Sequence, residues 1–431
     1  MLTATFKRKL VKMASLATIG ALAMPLLSSG PAQADPRAHV DQLVGVGSDT
    51  IQAVFNAFAG ESNGLYYTPV HSNAVQFSSW DALAPSDHTN LTCIATRVNF
   101  NAFPRPNGST EGKAALSRAI DGTNFAETSG QPSGGYACNN KPTSGELNFS
   151  RSSSGSTSTT DTNDVLRLVP FARDAIGIAV AATPDVTTPV TSFTVAQLDS
   201  IFTENGTAGG AVTISGVKIY PCDIQHGSGT QKDFGGLLHN AGATDVAADG
   251  SGIDSASGVC KGIVDGANGT GIDGAGRLEE NKSDQLANKA AAPSAPAGSE
   301  FIIGHGVSAF IAQSNGKAPA HLSSGASMAS VDFGSGTATP PFTGTAPSLA
   351  ANAAFYNFST DTPKGLGRFV YTVWPTSTLT GPGNADAKAM VIGNTSKVCS
   401  ATATIQAFGF LQDSTNCGDI TRQSGSFNNP A

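Results

Sequence analysis

The sequence is poor in charge and in aromatic rings: only 13% of its 431 residues are Asp, Glu, Lys or Arg and only 7% are Phe, Trp or Tyr. It holds no Cys-x-x-Cys pair, which argues against zinc or redox chemistry. No nucleophile, base and acid follow one another in a hydrolase order, and Gly-x-Ser-x-Gly is absent around Ser228, so hydrolysis ranks lowest among the functions considered. No cluster of metal-ligand spacing is legible, and neither a cofactor nor a metal is expected. Disorder is excluded because apolar residues reach 39% and recur in short clustered runs that can bury a core.

The start reads as an export signal. Lys7, Arg8, Lys9 and Lys12 precede an apolar run from Met13 to Leu27, and Ala32-Gln33-Ala34 supplies small residues for cleavage. The run is short for a membrane span, and no cysteine near the cleavage point offers a lipid anchor. Residues 1–34 are therefore expected to be a Sec-type signal peptide on a secreted, extracellular protein with no direct membrane insertion. That leader carries four basic and no acidic residues, so the net charge of −7 becomes −11 without it. Nucleic acid is an unfavourable partner for such a chain, and any anion it binds must be held by local geometry. Six cysteines remain in the exported part: Cys93, Cys138, Cys222, Cys260, Cys399 and Cys417. An even count outside the cell reads as disulfides, with neighbour-to-neighbour pairing the favoured choice of fifteen.

Along the chain, strand patterns alternate with helix patterns. Val44–Val46, Ile94–Phe100, Val165–Phe171, Ala175–Val180, Val217–Pro221 and Phe369–Trp374 read as strands. Phe301–Ile311 is strand-like but broken by Gly304 and Gly306. Helices are expected after Thr50, with Ile51, Val54, Phe55 and Phe58 on one face, and then across Ala114–Ile120, Val195–Phe202, Gln231–Leu238, Asp284–Ala292 and Ala350–Phe355. This is an α/β fold with mostly parallel sheets flanked by helices.

Three times a strand ends, a Gly/Ser/Thr turn follows and a helix begins: Gly47-Ser48-Asp49-Thr50, Asn107-Gly108-Ser109-Thr110 and Gly227-Ser228-Gly229-Thr230. A helix N-terminus presents unpaired N–H groups and partial positive charge, so such turns meeting in a cleft make an oxyanion site. Each turn alone is no more than ordinary capping. His226 adjoins the Gly-Ser-Gly turn, but adjacency does not place its imidazole on the Ser228 hydroxyl. His305 reads as a hinge or packing residue, and Trp80 and Trp374 as core or lobe-surface residues with sugar stacking as the alternative. The single Gly269-x-Gly271-x-Asp273 unit is too little for a stacked calcium repeat.

Phe171–Val180, Thr194–Phe202, Gly227–Thr230 with Phe234, and Phe301–Val307 together resemble the phosphate-binding proteins of the phosphate-specific ABC transporter, the PstS-like members of the periplasmic-binding-protein type II superfamily. The resemblance comes in islands through most of the exported chain. It implies two lobes with two crossover strands: lobe I from residues 35–170 and 305–431, lobe II from 171–304. It also implies a small oxyanion such as phosphate in the cleft, delivery to an ABC permease, and no enzymatic activity. By position, the family's contacts fall on Asp49 and Thr50 with neighbouring Ser48, on Gly108 and Ser109, on Ser152 and Ser153, and on Ser228, Gly229 and Thr230. The family's arginine is Ile224 here and its proton-accepting aspartate is Ser153. Arg151 or Arg105 would then supply the cation, and Asp49 would accept a proton. The competing expectation is an extracellular surface or scaffold protein that keeps the fold and has lost its ligand.

Overall fold

The computed structural model describes residues 35, 42–82, 92–122, 142–155, 158–161, 163–208, 211–225, 227–246, 258–263 and 276–425. The leader, Cys138, His226 and the Asp265–Asp273 stretch lie outside these.

The sheet is organised by one strand. The two apolar runs around residues 165–180 are a single strand, Leu166–Ala182, of 17 residues. The strands used below are β1 (Gln42–Gly47), β2 (Val75–Ser79), β3 (Phe149–Ser152), β4 (Leu166–Ala182), β5 (Val217–Pro221), β6 (Ser299–Gly306), β7 (Ala326–Asp332) and β8 (Gly367–Pro375). Their order is β5-β6-β4-β8-β3-β1-β2, with β4 between β6 and β8. Partner β8 covers Leu166 to Ala175 and partner β6 covers Ile176 to Ala182. The strand changes core at the same place. Val169, Phe171 and Ala172 pack with residues 43–77 and 370–417, whereas Ala175, Ile176, Ile178 and Val180 pack with residues 190–246. Between them stand Arg173 and Asp174, so the change of core is marked by charge.

The sheet is mixed rather than mostly parallel. Pairs β1–β2, β1–β3 and β5–β6 are parallel, but β4 is antiparallel to β6, β7 and β8. A strand that carries the chain between two cores and a strand that carries it back must run in opposite senses, so neighbouring crossovers impose antiparallel pairing.

The helices needed are α1 (Gln52–Phe58), α2 (Ser109–Asp121), α3 (Val195–Ala208), α4 (Gly229–Ala241), α5 (Ser283–Ala291) and α6 (Val307–Ser314). Ile51, Val54, Phe55 and Phe58 are buried as their spacing predicts, and Phe55 touches the rings of Phe58, Phe77, Phe149 and Phe171. Each such ring contributes about 2–3 kcal/mol on leaving water. Thr194 and Gln197 exchange backbone bonds as a capping box at the start of α3.

Three expectations fail locally. Phe301–Ile311 is strand only to Gly306 and then becomes α6, because a β-strand pattern and a helix pattern abut without a polar break. Ala350–Phe355 begins as a two-residue strand, Ala350–Ala351, paired with Phe342–Thr343, and continues as turn. Of Ile94–Phe100 only Ile94 is in a strand. Two disulfides, Cys222–Cys260 and Cys399–Cys417, join neighbours in sequence as expected. Cys93 is also disulfide-bonded.

Candidate functional site

The three turns converge. Gly47 (φ 106°) ends β1 so closely under Arg151 that a Cβ would lie 2.7 Å from its carbonyl oxygen. Gly108 (φ 103°) meets Gly227 across the junction, where a Cβ would come within 2.4 Å of the Gly227 oxygen. Positive φ and lack of room both require glycine there. Thr110 N–H donates to that Gly227 oxygen at 3.0 Å, which ties the first turn of α2 to the loop that opens α4. Ser48, Asp49, Thr50, Ser109, Ser152, Ser153, Ser228 and Thr230 are all buried.

The junction of the second and third turns is sealed. Ser109 and Ser153 hydroxyls bond each other at 3.1 Å, and Ser153 N–H donates to Ser109 Oγ at 2.9 Å. A Cβ on Gly229 would lie 2.4 Å from Ser153 Oγ and 2.5 Å from Ser109 Oγ. Ser228 accepts from Thr230 N–H and Gln231 N–H as the N-cap of α4, and Ser152 donates to Ser154 O within its own loop. The turns thus meet as predicted, yet they touch one another.

The expected cations are engaged elsewhere. Arg151 is fully buried, and its five N–H groups go to Ser48 O, Gly45 O, Ser79 Oγ, Gly47 O and Trp80 O. It pins the first turn from beneath and has no donor left for a ligand. Burial pulls its guanidinium down to about 10. Arg105 pairs with Asp35 and donates to Asp81 O and Thr92 Oγ1. Ile224, where the family's arginine was expected, sits in a hydrophobic cluster with Leu278 and Ile303.

The cation that does face the junction is Arg368, near the start of β8, which sequence reasoning missed. Its Nη2 donates to Thr230 Oγ1 at 2.8 Å and to Asp174 Oδ2 at 3.0 Å. Its Nε and Nη1 are buried without an acceptor among the described residues. Arg368 also lines a cavity of about 490 Å³, together with Gly155, Lys232, Asp233, Tyr371 and Arg422. Lys113 stands behind it, donating to Ser154 Oγ at 3.4 Å, and burial plus the charge of Lys232 lowers its ammonium to about 7. Asp233 is pushed up to about 6 by burial, against the pull of Arg368, Lys113 and Lys232.

On the other side of the junction the sign reverses, and the expectation of no metal-ligand cluster is corrected. Asp49 of the first turn meets Glu279 and Glu280 from the loop before α5, one carboxylate oxygen of each lying within 4.8 Å of the others. Thr50 Oγ1 donates to Glu280 at 3.1 Å, Asn107 Nδ2 to Glu279 at 3.1 Å, and Gln225 Nε2 to both glutamates. Burial first, then mutual repulsion, raises Asp49 and Glu280 to about 8. Burial also raises Glu279. Asp49 contacts Glu279, but that contact is a hydrogen bond only when the two share a proton. His305 is buried, neutral and edge-on to Phe310, a packing residue as read. Trp374 stacks on Phe149 inside the core.

No family model and no curated protein matches the chain. Several solved structures are similar in shape. An ABC-type phosphate transport receptor from Vibrio cholerae shares 13% identity, with 86% of this chain and 100% of that one covered and a TM-score of 0.39. PstS from Borrelia burgdorferi shares 12%, with 86% and 98% covered and a TM-score of 0.36. A phosphate-binding protein from Stenotrophomonas maltophilia shares 13%, with 90% and 91% covered and a TM-score of 0.38. At that level of likeness, the residues of the junction must carry any assignment.

Proposed function

We propose that this protein is a non-enzymatic solute-binding protein that captures a small oxyanion, phosphate or one like it, between two lobes. The supporting observation is Arg368. A buried guanidinium that leaves Nε–H and Nη1–H unpaired costs about 1–3 kcal/mol for each such group, which an anion in the adjoining cavity recovers. Each of those two donors offers an anion oxygen one charge-assisted contact, in a direction that the planar group fixes. Lys232 and Arg422 add positive charge to the same wall, and Asp233 can take up a proton there.

The lobes in this reading divide where β4 changes core, near Arg173–Asp174, and again where β8 begins at Gly367. The segment from Val307 to Leu366 then belongs with lobe II, because Val307, Ile311, Val331, Tyr356 and Leu366 share its core. This moves the second boundary from the expected residue 305. Ser109, Ser153, Gly229 and Thr230 form the contact that parts when the lobes open, and Asp49 with Thr50 forms a second contact beside it. Export and delivery to an ABC permease belong to the same proposal.

The direct contact of Gly229 with Ser109 and Ser153 favours a second reading, a surface or scaffold protein whose cleft has closed on itself. A thermal-shift series with phosphate, sulfate, arsenate and neutral sugars separates the two. Binding raises the melting temperature with the logarithm of ligand concentration, by about 2.7 kcal/mol of stability at a hundredfold excess over Kd. A rise confined to oxyanions supports capture, and a flat response to all of them supports the scaffold.

A further inference from the structure

We infer that Asp49, Glu279 and Glu280 form a binding site for a divalent cation, calcium by preference, which fastens the two lobes on the side opposite the Arg368 cavity. The three carboxylates come from different parts of the chain. Asp49 belongs to the turn after β1, while Glu279 and Glu280 are held in place by backbone bonds: Glu279 N–H to Gln285 Oε1 at 2.9 Å, and Gly306 N–H to Glu280 O at 3.0 Å. Their nearest oxygens span no more than 4.8 Å. Two ligands on opposite sides of one calcium ion, at about 2.3–2.6 Å each, stand that far apart.

The acidic cluster is not the only sign of a ligand. Gln225 is 1% exposed and Asn107 is 4% exposed, both touch Glu279 through their amide nitrogens, and the amide oxygens Gln225 Oε1 and Asn107 Oδ1 have no partner among the described residues. A half-turn of either amide would present its oxygen as a further ligand to a cation held between the carboxylates. Among the described residues, no neutral side chain donates to either oxygen of Asp49. With the Thr50 hydroxyl the donor set is all oxygen, which suits calcium above zinc or copper. The charge also balances. Lys282 is the cation that acts on Asp49 and Glu279, and three carboxylates against one ammonium leave two negative charges. The Ser228 hydroxyl and Arg368, whose own charge is matched by Asp174, act on Glu280. A pocket of about 50 Å³, lined by Asp49, Thr50, Glu279 and Lys282, gives access. This site holds whether or not the cavity across the junction takes an oxyanion.

The test is isothermal titration of calcium, magnesium and manganese chloride into the metal-stripped full chain near neutral pH, with no oxyanion present. One saturable calcium site is expected, tighter than magnesium, since magnesium demands a stricter octahedron and keeps its waters. Glu279→Gln/Glu280→Gln is expected to weaken calcium at least about 100-fold, and Asp49→Asn at least about 10-fold. Both variants should melt no lower than the parent protein without metal, because each removes a buried negative charge from a crowded site. Absence of saturable heat from all three cations overturns the inference. So does unchanged calcium affinity in both variants. Stabilisation by acid alone, with no cation effect, would assign the site to protons instead.

Discussion

Two groups of buried charge face each other across one junction, and they handle burial in opposite ways. The Arg368 side is a cation held by a carboxylate: Asp174 is fully buried, pairs with Arg368, and accepts Ser308 N–H at 3.1 Å. The Asp49 side is three carboxylates crowded together, with burial and repulsion both favouring protons or a cation. A chain that is negative as a whole can therefore attract an anion at one edge of a cleft and a cation at the other. Net charge governs long-range steering, and a few desolvated groups decide what stays bound.

The sharpest way to break this comparison is to remove one charge from each side. Arg368→Ala leaves Asp174 buried and unpaired and should cost about 3–5 kcal/mol in chemical denaturation. Glu280→Gln should instead stabilise by about 1 kcal/mol or more near pH 8. Equal losses from the two variants would erase the distinction. Gly229→Ala comes next. Its Cβ would press on Ser109 and Ser153 oxygens, so overpacking of about 1–3 kcal/mol is expected, together with a larger radius of gyration by X-ray scattering as the lobes part.

The pH slope tests the acidic side by itself. Asp49 and Glu280 hold their protons to about 8 in the folded chain, whereas a free Asp or Glu loses its proton near 4. Between those values the folded state binds more protons than the unfolded one, so these two groups make stability fall as pH rises. Stability from urea titrations should decline through this window, and Glu280→Gln should flatten the decline. A slope identical in the variant would remove Glu280 from the account.

The sequence was most informative where one residue pattern meets one structural need. The buried face of α1 and the strand Val217–Pro221 follow from period alone. The three Gly/Ser/Thr turns were legible because a glycine at positive φ before a helix has few substitutes. The charges were not legible. Arg151 and Arg368 look alike in sequence, and only tertiary placement engages all five donors of one and leaves Nε and Nη1 of the other without an acceptor among the described residues. Glu279-Glu280 carries no spacing signal in the sequence, and it is the packing of the first turn against it that buries the pair. The joint between β6 and α6 was hidden because Val307 and Ile311 continue the apolar pattern of the strand they follow.

Calorimetric titration of the parent chain and Arg368→Lys with the oxyanion that raises the melting point most tests the central claim directly. Lysine can keep a charge beside Asp174 but has no planar fork. Affinity is predicted to fall at least about tenfold, or 1.4 kcal/mol, with the fold retained. Equal affinity in the two proteins would contradict the assignment of the guanidinium to the ligand.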